Sequence, residues 1–374
     1  MHKHINYYFL ALVIFLIGFG VLFLSTLSAL TSLNLFGTTN YYLFRQLIRI
    51  AIGLVACFIA FKIPLPFLKK ISPWILLINL FFLVAALFPW LGVSLKGASR
   101  WISIGGFSFQ PSEFLKLSAV MYLSALLSSR FSGTAKKGWV VSAKKGFYNF
   151  SRIFLPFLLL LITVIVILKY QRDLSTLGII IATLIIVYFA AGTPLWHIIL
   201  SFLLALGSAV IFITREQYRL DRFTVFLHPQ TDPLGIGLQM KQSMIAMGSG
   251  GFFGKGLGMS IQKFSRLPEA MTDSIFAILG EETGIFGCTI LVLSFVLFFY
   301  LGLKIANSST DPFSKLTAIG ITFWITFQAF INITSSVGLF PLSGIPLPFF
   351  SYGGSHIIAE LIGVGILLNI SKNG

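Results

Sequence analysis

The chain has 374 residues; 56% are hydrophobic and 10% charged, and its mean hydropathy is +0.92. Soluble domains carry about 25% charged residues, so repeated apolar runs of about 20 residues exclude a soluble protein and point to a polytopic membrane protein. There are 27 Lys+Arg against 11 Asp+Glu, a formal net charge of +16. The two cysteines, Cys57 and Cys288, both lie inside apolar runs, which suggests packing rather than a disulfide framework or a metal site.

In chain order, the first run, Tyr7 to Leu30, is too long for a signal-peptide core and ends in no clear cleavage site, so it reads as a retained helix. Nine further apolar runs predict spanning helices near 47–61, 73–93, 113–129, 152–168, 176–192, 194–213, 273–303, 315–336 and 347–370. The expected fold is therefore all-α, a single transmembrane domain of about ten helices over 1–374. Two long polar stretches, 130–151 and 214–272, interrupt the series. No internal repeat or low-complexity tract is visible. Lys62, Lys69 and Lys70 in the loop 62–72, and Arg130, Lys136, Lys137, Lys144 and Lys145 in 130–151, mark the cytoplasmic side. An even helix count places both termini there. The stretches 31–46, 94–112, 169–175, 214–272 and 337–346 then face outward.

The outward side is also basic. Arg215, Arg219, Arg222, Lys241, Lys255, Lys263 and Arg266 lie in 214–272, and Lys96, Arg100, Lys169 and Arg172 in other outward loops. Anionic headgroups would account for this at about 1 kcal/mol per basic residue near the surface. A polyanionic ligand held at the outer face is the sharper reading; composition alone favours the first. Within 234–247, Leu234, Leu238, Met240, Met244, Ile245 and Met247 interleave with polar residues, a stripe suited to the interface plane. "GSGGFFGKGLG", 248–258, predicts a flexible, turn-rich passage. It is not a phosphate-binding loop: Ser249 stands where the first Gly belongs and Gly256 follows Lys255 where Ser or Thr is needed.

Four segments carry the chemistry-bearing residues. In "LPEAMTDSIF", 267–276, Pro268 suits a first helical position and Glu269 a first turn, which would put Glu269 and Asp273 on one face, one turn apart. Decoration of a helix start explains both acids; the functional reading makes Asp273 a general base at an outward cavity mouth. Glu281 and Glu282 lie deeper, where acids are costly. In "KGASRWISIGGFSFQPSEFLKLS", 96–118, Ser112 reads as a helix cap and Trp101 as an interfacial anchor, and Glu113 and Lys116 can pair on one helix face. "KYQRDLSTLG", 169–178, has Asp173 heading another helix. In "PLPFFSYGGSHIIAELIG", 346–363, Gly353-Gly354 permits a kink or close approach, and His356 and Glu360 share a face. Protonation of Glu360 with a bond to a neighbouring helix would serve as well.

These four segments, in this order, resemble the SEDS family of polytopic membrane proteins, typified by FtsW and RodA, whose usual patterns are close to "KGAxRWI…FQPSE", "QPDLGT", "LPExHTDFIFAxxGEExG" and "PxxSYGGS". The resemblance extends from about residue 40 to 371. It implies ten helices and peptidoglycan glycosyltransferase activity on the outer face of the cytoplasmic membrane, with lipid II as substrate. It implies a class B penicillin-binding protein as partner, within the division or elongation machinery, and no nucleic acid. Asp273 aligns with the residue regarded as catalytic. Lys96, Arg100, Gln110, Lys116 and Lys255 are candidates for substrate contact, and Glu113, Glu269, Asp173, Ser351, Gly353 and Gly354 for support. No cofactor or metal-ligand cluster is evident, though the sequence leaves room for a divalent cation. "GLGMSIQKFSRLPEA" and "FQAFINI" lean toward the division branch. Arg172 and Ser175 depart from the usual Pro and Gly, Met271 from His, Ser274 from Phe and His356 from Ser. Rival readings are a lipid-precursor flippase using Glu281, Glu282 and Glu360 as a proton relay, and a scaffold that recruits a transpeptidase.

Overall fold

A computed structural model of the chain describes residues 5–88, 91–95, 98–104, 107–131, 153–214, 217–228, 235–263 and 267–373. Each of the ten expected segments falls on a helix: α1 (Tyr7–Phe36), α2 (Tyr41–Lys62), α3 (Leu65–Ala85), α4 (Pro111–Phe131), α5 (Leu155–Tyr170), α6 (Leu174–Ala190), α7 (Leu195–Thr214), α10 (Ile275–Ser308), α11 (Pro312–Ser336) and α12 (Ser355–Asn373). Between α7 and α10 lie α8 (Gln217–Leu227) and α9 (Ile236–Ser249), the second on the expected interfacial stripe. Among the described residues, α1, α2, α3, α10, α11 and α12 are long and apolar enough to cross a membrane, and α5, α6 and 196–208 of α7 are shorter apolar helices. The chain is an all-α polytopic membrane protein.

The helix ends follow local chemistry. Asn6 caps α1 by accepting from the Phe9 N–H (3.1 Å), and Asp311 caps α11 by accepting from the Ser314 N–H (3.0 Å), the usual satisfaction of first-turn donors. Leu16, Phe23, Phe295, Phe298, Trp324 and Phe350 are buried among the helices, whereas Leu22, Phe58, Phe81, Leu293 and Tyr300 stay more than half exposed. A spanning helix turns such residues to lipid.

Four sequence expectations need correction. The third helix runs Leu65–Ala85 instead of 73–93, so Lys69 and Lys70, read as loop residues, lie in its first turns. The stretch 94–112, read as a loop, folds mostly into an antiparallel sheet of β1 (Gly92–Leu95), β2 (Ala98–Ile104) and β3 (Phe107–Phe109) in the order β1-β2-β3. The aromatic and β-branched residues of Trp101-Ile102-Ser103-Ile104 are the strand signal, and Ile102 packs inward against Ala85 and Ala86. The last helix starts at Ser355 instead of 347, since Pro346, Pro348 and the glycine pair hold 341–354 out of helix. Residues 268–274 are turns, and α10 begins only at Ile275. Glu269 has φ 52°, a left-handed conformation no helix accommodates. Glu269 and Asp273 are therefore not stacked on one helix face.

Contacts sort the chain ends and turns. The Asn6 N–H donates to Ser371 Oγ (3.4 Å), and Asn369 Nδ2 donates to the Ala60 and Ile63 carbonyls (3.1 and 2.6 Å). The start of α1, the α2–α3 turn and the end of α12 thus share one end of the bundle. The four motif segments gather at the other.

Candidate functional site

The turn 267–274 carries Asp273 and is held from three directions. Asn332 of α11 donates through Nδ2 to the Asp273 carbonyl (3.0 Å) and to the Ile345 carbonyl (2.7 Å). Ser351 Oγ donates to the Thr272 carbonyl (2.6 Å), and the Tyr352 N–H to the Met271 carbonyl (2.9 Å). Gln239 of α9 donates to Ser274 Oγ (3.1 Å), which itself donates to the Pro268 carbonyl (3.2 Å). Asp273 is half-buried and Glu269 exposed. Thr272 Oγ1 donates to Glu269 Oε2 (3.0 Å), so Glu269 closes its own turn. The peptide carrying Asp273 is fixed at both faces while its carboxylate stays reachable.

Arg222 of α8 supplies a cation beside it. Its Nη1 donates to the Leu342 carbonyl (2.8 Å). A methyl placed on Gly344 would lie 3.6 Å from Asp273 Oδ2 and 3.9 Å from Arg222 Nη1, so the carboxylate and guanidinium flank the same glycine. Sequence reading counted Arg222 among the outward basic residues but did not single it out; nothing in the sequence distinguishes it from the six other basic residues of 214–272.

The second and third motifs meet on Asp173. Its carboxylate caps α6 through the Thr176 N–H (3.4 Å) and accepts from Gln110 Nε2 (3.2 Å) and Ser112 Oγ (3.1 Å). Arg100 lies 3.7 Å from it and also donates to the Gln171 and Arg172 carbonyls. The Gln110 N–H donates to Ser355 Oγ (2.8 Å), and Ser175 Oγ to the Ser343 carbonyl. These bonds join both motifs to the 341–355 segment that supports Asp273.

A third set is enclosed. Lys116 Nζ lies 2.7 Å from Glu113 Oε2 and 2.6 Å from Gln328 Oε1, and over the Trp324 ring. Gln328 continues through Nε2 to the Pro346 carbonyl (3.1 Å) and Glu360 Oε1 (3.5 Å). Glu360 accepts from the Phe349 N–H (2.9 Å) and pairs with His356 Nδ1 (3.3 Å), as their spacing predicted. Gln46 of α2 donates to the Ser351 carbonyl (3.4 Å) and accepts from the Gly353 N–H (3.2 Å). Arg49 stacks over Tyr352 beside Gly354. Gln46 and Arg49 escaped the sequence reading, and Gln328 and Asn332 entered it only within "FQAFINI" and not as site residues, because isolated polar residues within apolar runs look alike whether they serve a site or a helix contact.

Of the predicted contact residues, Gln110, Arg100 and Lys116 are thus engaged within the protein. Lys255 lies 2.8 Å from Glu281 Oε1 and from Ser249 Oγ. Lys96 lies outside the described residues, as do Lys136, Lys137, Lys144 and Lys145. Among the described residues, no three His, Cys, Asp or Glu side chains group as metal ligands.

A polytopic helix bundle with acidic, basic and amide side chains gathered at one end, on four interlocked loops, defines a class of integral membrane protein with a polar site at that end. The profile of the FtsW/RodA/SpoVE family, described as cell cycle proteins, matches residues 7–374, and the chain belongs to that family. It is 37% identical over 362 residues to a probable peptidoglycan glycosyltransferase FtsW of Trichlorobacter lovleyi, covering 97% of this chain and 92% of that one. It is 37% identical over 357 residues to stage V sporulation protein E of Bacillus subtilis, covering 96% and 94%. In fold it resembles a chain of a peptidoglycan synthase complex (TM-score 0.77, 23% identity, 99% and 98% covered) and the rod shape determining protein RodA of Thermus thermophilus (TM-score 0.70, 22% identity, 99% and 98% covered).

Proposed function

We propose that the chain is a peptidoglycan glycosyltransferase that polymerises lipid II at the outer face of the cytoplasmic membrane. Family membership supports the reaction class, and the observation that carries the site is the half-buried Asp273 on a turn strapped by Asn332, Ser351 and Tyr352. In the reaction, the acceptor sugar's 4-hydroxyl oxygen forms a bond to the donor's anomeric carbon. The bond from that carbon to the lipid diphosphate breaks, and the diphosphate leaves with the electron pair. Asp273 takes the hydroxyl proton, a general-base contribution of roughly 10²- to 10⁴-fold. Arg222, flanking Gly344 with Asp273, is placed to offset charge on the departing diphosphate. Arg100, Gln110, Asp173, Glu113 and Lys116 act by holding the loops, and Ser351 with Gly353 and Gly354 by backing the Asp273 turn.

The motif end faces outward and both termini face the cytoplasm, in keeping with the basic short loops. The FtsW relatives favour a division role, and the fold shared with a synthase-complex chain supports a transpeptidase partner. The flippase reading loses its relay: Glu281 and Glu282 are occupied by lysines and loop N–H groups, and Glu360 by His356 and the Phe349 N–H. The two activities separate in proteoliposomes carrying fluorescent lipid II. Glycan polymer that a muramidase degrades supports the proposal; translocation of lipid II without polymer overturns it.

A further inference from the structure

The helix α10 breaks at Gly284, whose φ of 67° and ψ of −165° lie outside the helical region. A break strands backbone groups that a membrane cannot satisfy with water. The segment 250–263 supplies the partners. The Lys255 and Gly256 N–H groups donate to the Glu281 and Glu282 carbonyls (both 3.0 Å), and the Ile285 and Phe286 N–H groups donate back to Gly251 and Phe252 (3.0 and 3.1 Å). Gly254, with φ 80°, fits there because a side chain would collide with the Glu282 carbonyl.

The two acids complete the attachment. Glu282, fully buried, pairs with Lys263 (2.9 Å) and accepts from the Gly258 and Ser260 N–H groups (2.9 and 3.3 Å). Glu281, also fully buried, pairs with Lys255 and accepts from the Ile261 and Gln262 N–H groups (both 3.2 Å) and from Ser260 Oγ. Both lysines of the segment are thereby paired at the kink, although the Lys255 side chain stays 31% exposed. The larger outward side chains are apolar: Phe252, Phe253, Leu257 and Met259 are 60–76% exposed and Ile261 is 49%.

Two rulers give its depth. Gly258 lies against Thr26 of α1. That helix continues ten residues, about 15 Å, beyond Thr26 to Phe36, with Leu33, Leu35 and Phe36 exposed. On α10, the attachment spans Glu281–Phe286, six to eleven residues inside the helix start. Ile285 and Phe286 at the attachment and Leu293 two turns further along are 55–60% exposed on a helix long enough to span, so the apolar surface of the loop continues that of α10.

We propose that residues 251–263 form a non-helical hairpin immersed in the lipid leaflet at the motif end of the bundle, clasped to the α10 kink, with Phe252, Phe253, Leu257, Met259 and Ile261 against acyl chains. The occupant is lipid because the surface is continuous with that of a spanning helix and its charges are internally paired.

The test attaches a nitroxide to single cysteines in full-length protein with Cys57→Ala and Cys288→Ala, in phosphatidylcholine vesicles, with chromatographic behaviour and melting as fold controls. Labels at Phe253→Cys and Met259→Cys should meet oxygen severalfold more readily than a water-soluble nickel chelate, and the ratio should reverse at Pro268→Cys in the exposed turn. Leu257→Cys substitutes if either variant misfolds. Nickel access at 253 and 259 equal to that at 268 overturns the proposal, and so does low access to both reagents, which would mean a protein covers the hairpin.

Discussion

Arg172 stands where the family pattern has proline, and its φ is 57°. Proline is locked near −65°, and the Arg172 N–H also donates to the Lys169 carbonyl (3.0 Å), a bond proline cannot make. Restoring the family residue with Arg172→Pro should therefore lower stability by more than about 1 kcal/mol, read by thermal melting, and an unchanged or raised melting point would contradict this backbone. His356 is a second departure with a partner of its own. Glu360 is fully buried and His356 nearly so, and an unpaired charge at that depth is costly. A double-mutant cycle with His356→Ala and Glu360→Gln should show coupling of about 0.5–3 kcal/mol; additive losses would reject the pair. At this scale the sequence was legible where spacing carries meaning. The i,i+4 separation of His356 and Glu360 and the i,i+3 separation of Glu113 and Lys116 each became a contact. It misled at Glu269, where a favourable first-turn residue is overruled by a turn that tertiary bonds from Ser351, Tyr352 and Asn332 impose.

Among elements, the helices were readable from long apolar runs, because a bilayer leaves the backbone few alternatives. The β1–β2–β3 sheet was not, since the seven residues of β2 alternate only over Ile102-Ser103-Ile104, a weak signal next to membrane spans. Nor was the use of the 250–263 passage, because the need it meets arises only from the kink at Gly284. The strap from α11 makes a clear forecast. Asn332 is nearly fully buried and feeds two carbonyls at once. Asn332→Ala leaves both without that donor, at about 1–3 kcal/mol for each group left unsatisfied. Melting should fall accordingly, and glycan synthesis should fall with it since the Asp273 peptide loses its fixed position. A variant as stable and active as wild type would remove Asn332 from the account.

For the whole molecule, the charge pattern and the contacts agree on which segments share an end. The expected outward stretches around Gln46, Gln110, Asp173, Asp273 and Ser343 are linked by hydrogen bonds. Cysteine at exposed Pro268 should react with a membrane-impermeant thiol reagent in intact cells, and cysteine at exposed Lys70 should react only after lysis; the reverse pattern would invert the topology and place the site on the wrong side for lipid II polymerisation. The most direct test of the central claim is glycan chain formation from purified lipid II by the wild-type chain, Asp273→Asn and Glu269→Gln, each checked by melting and by lipid II binding. Asn keeps the size of Asp and cannot take the proton. Asp273→Asn should fold, bind lipid II and lose at least about a hundredfold in synthesis, while Glu269→Gln, exposed and off the helix face, should stay within about threefold of wild type, as befits a weak exposed charge. Near-normal synthesis by a well-folded Asp273→Asn protein would contradict the assignment.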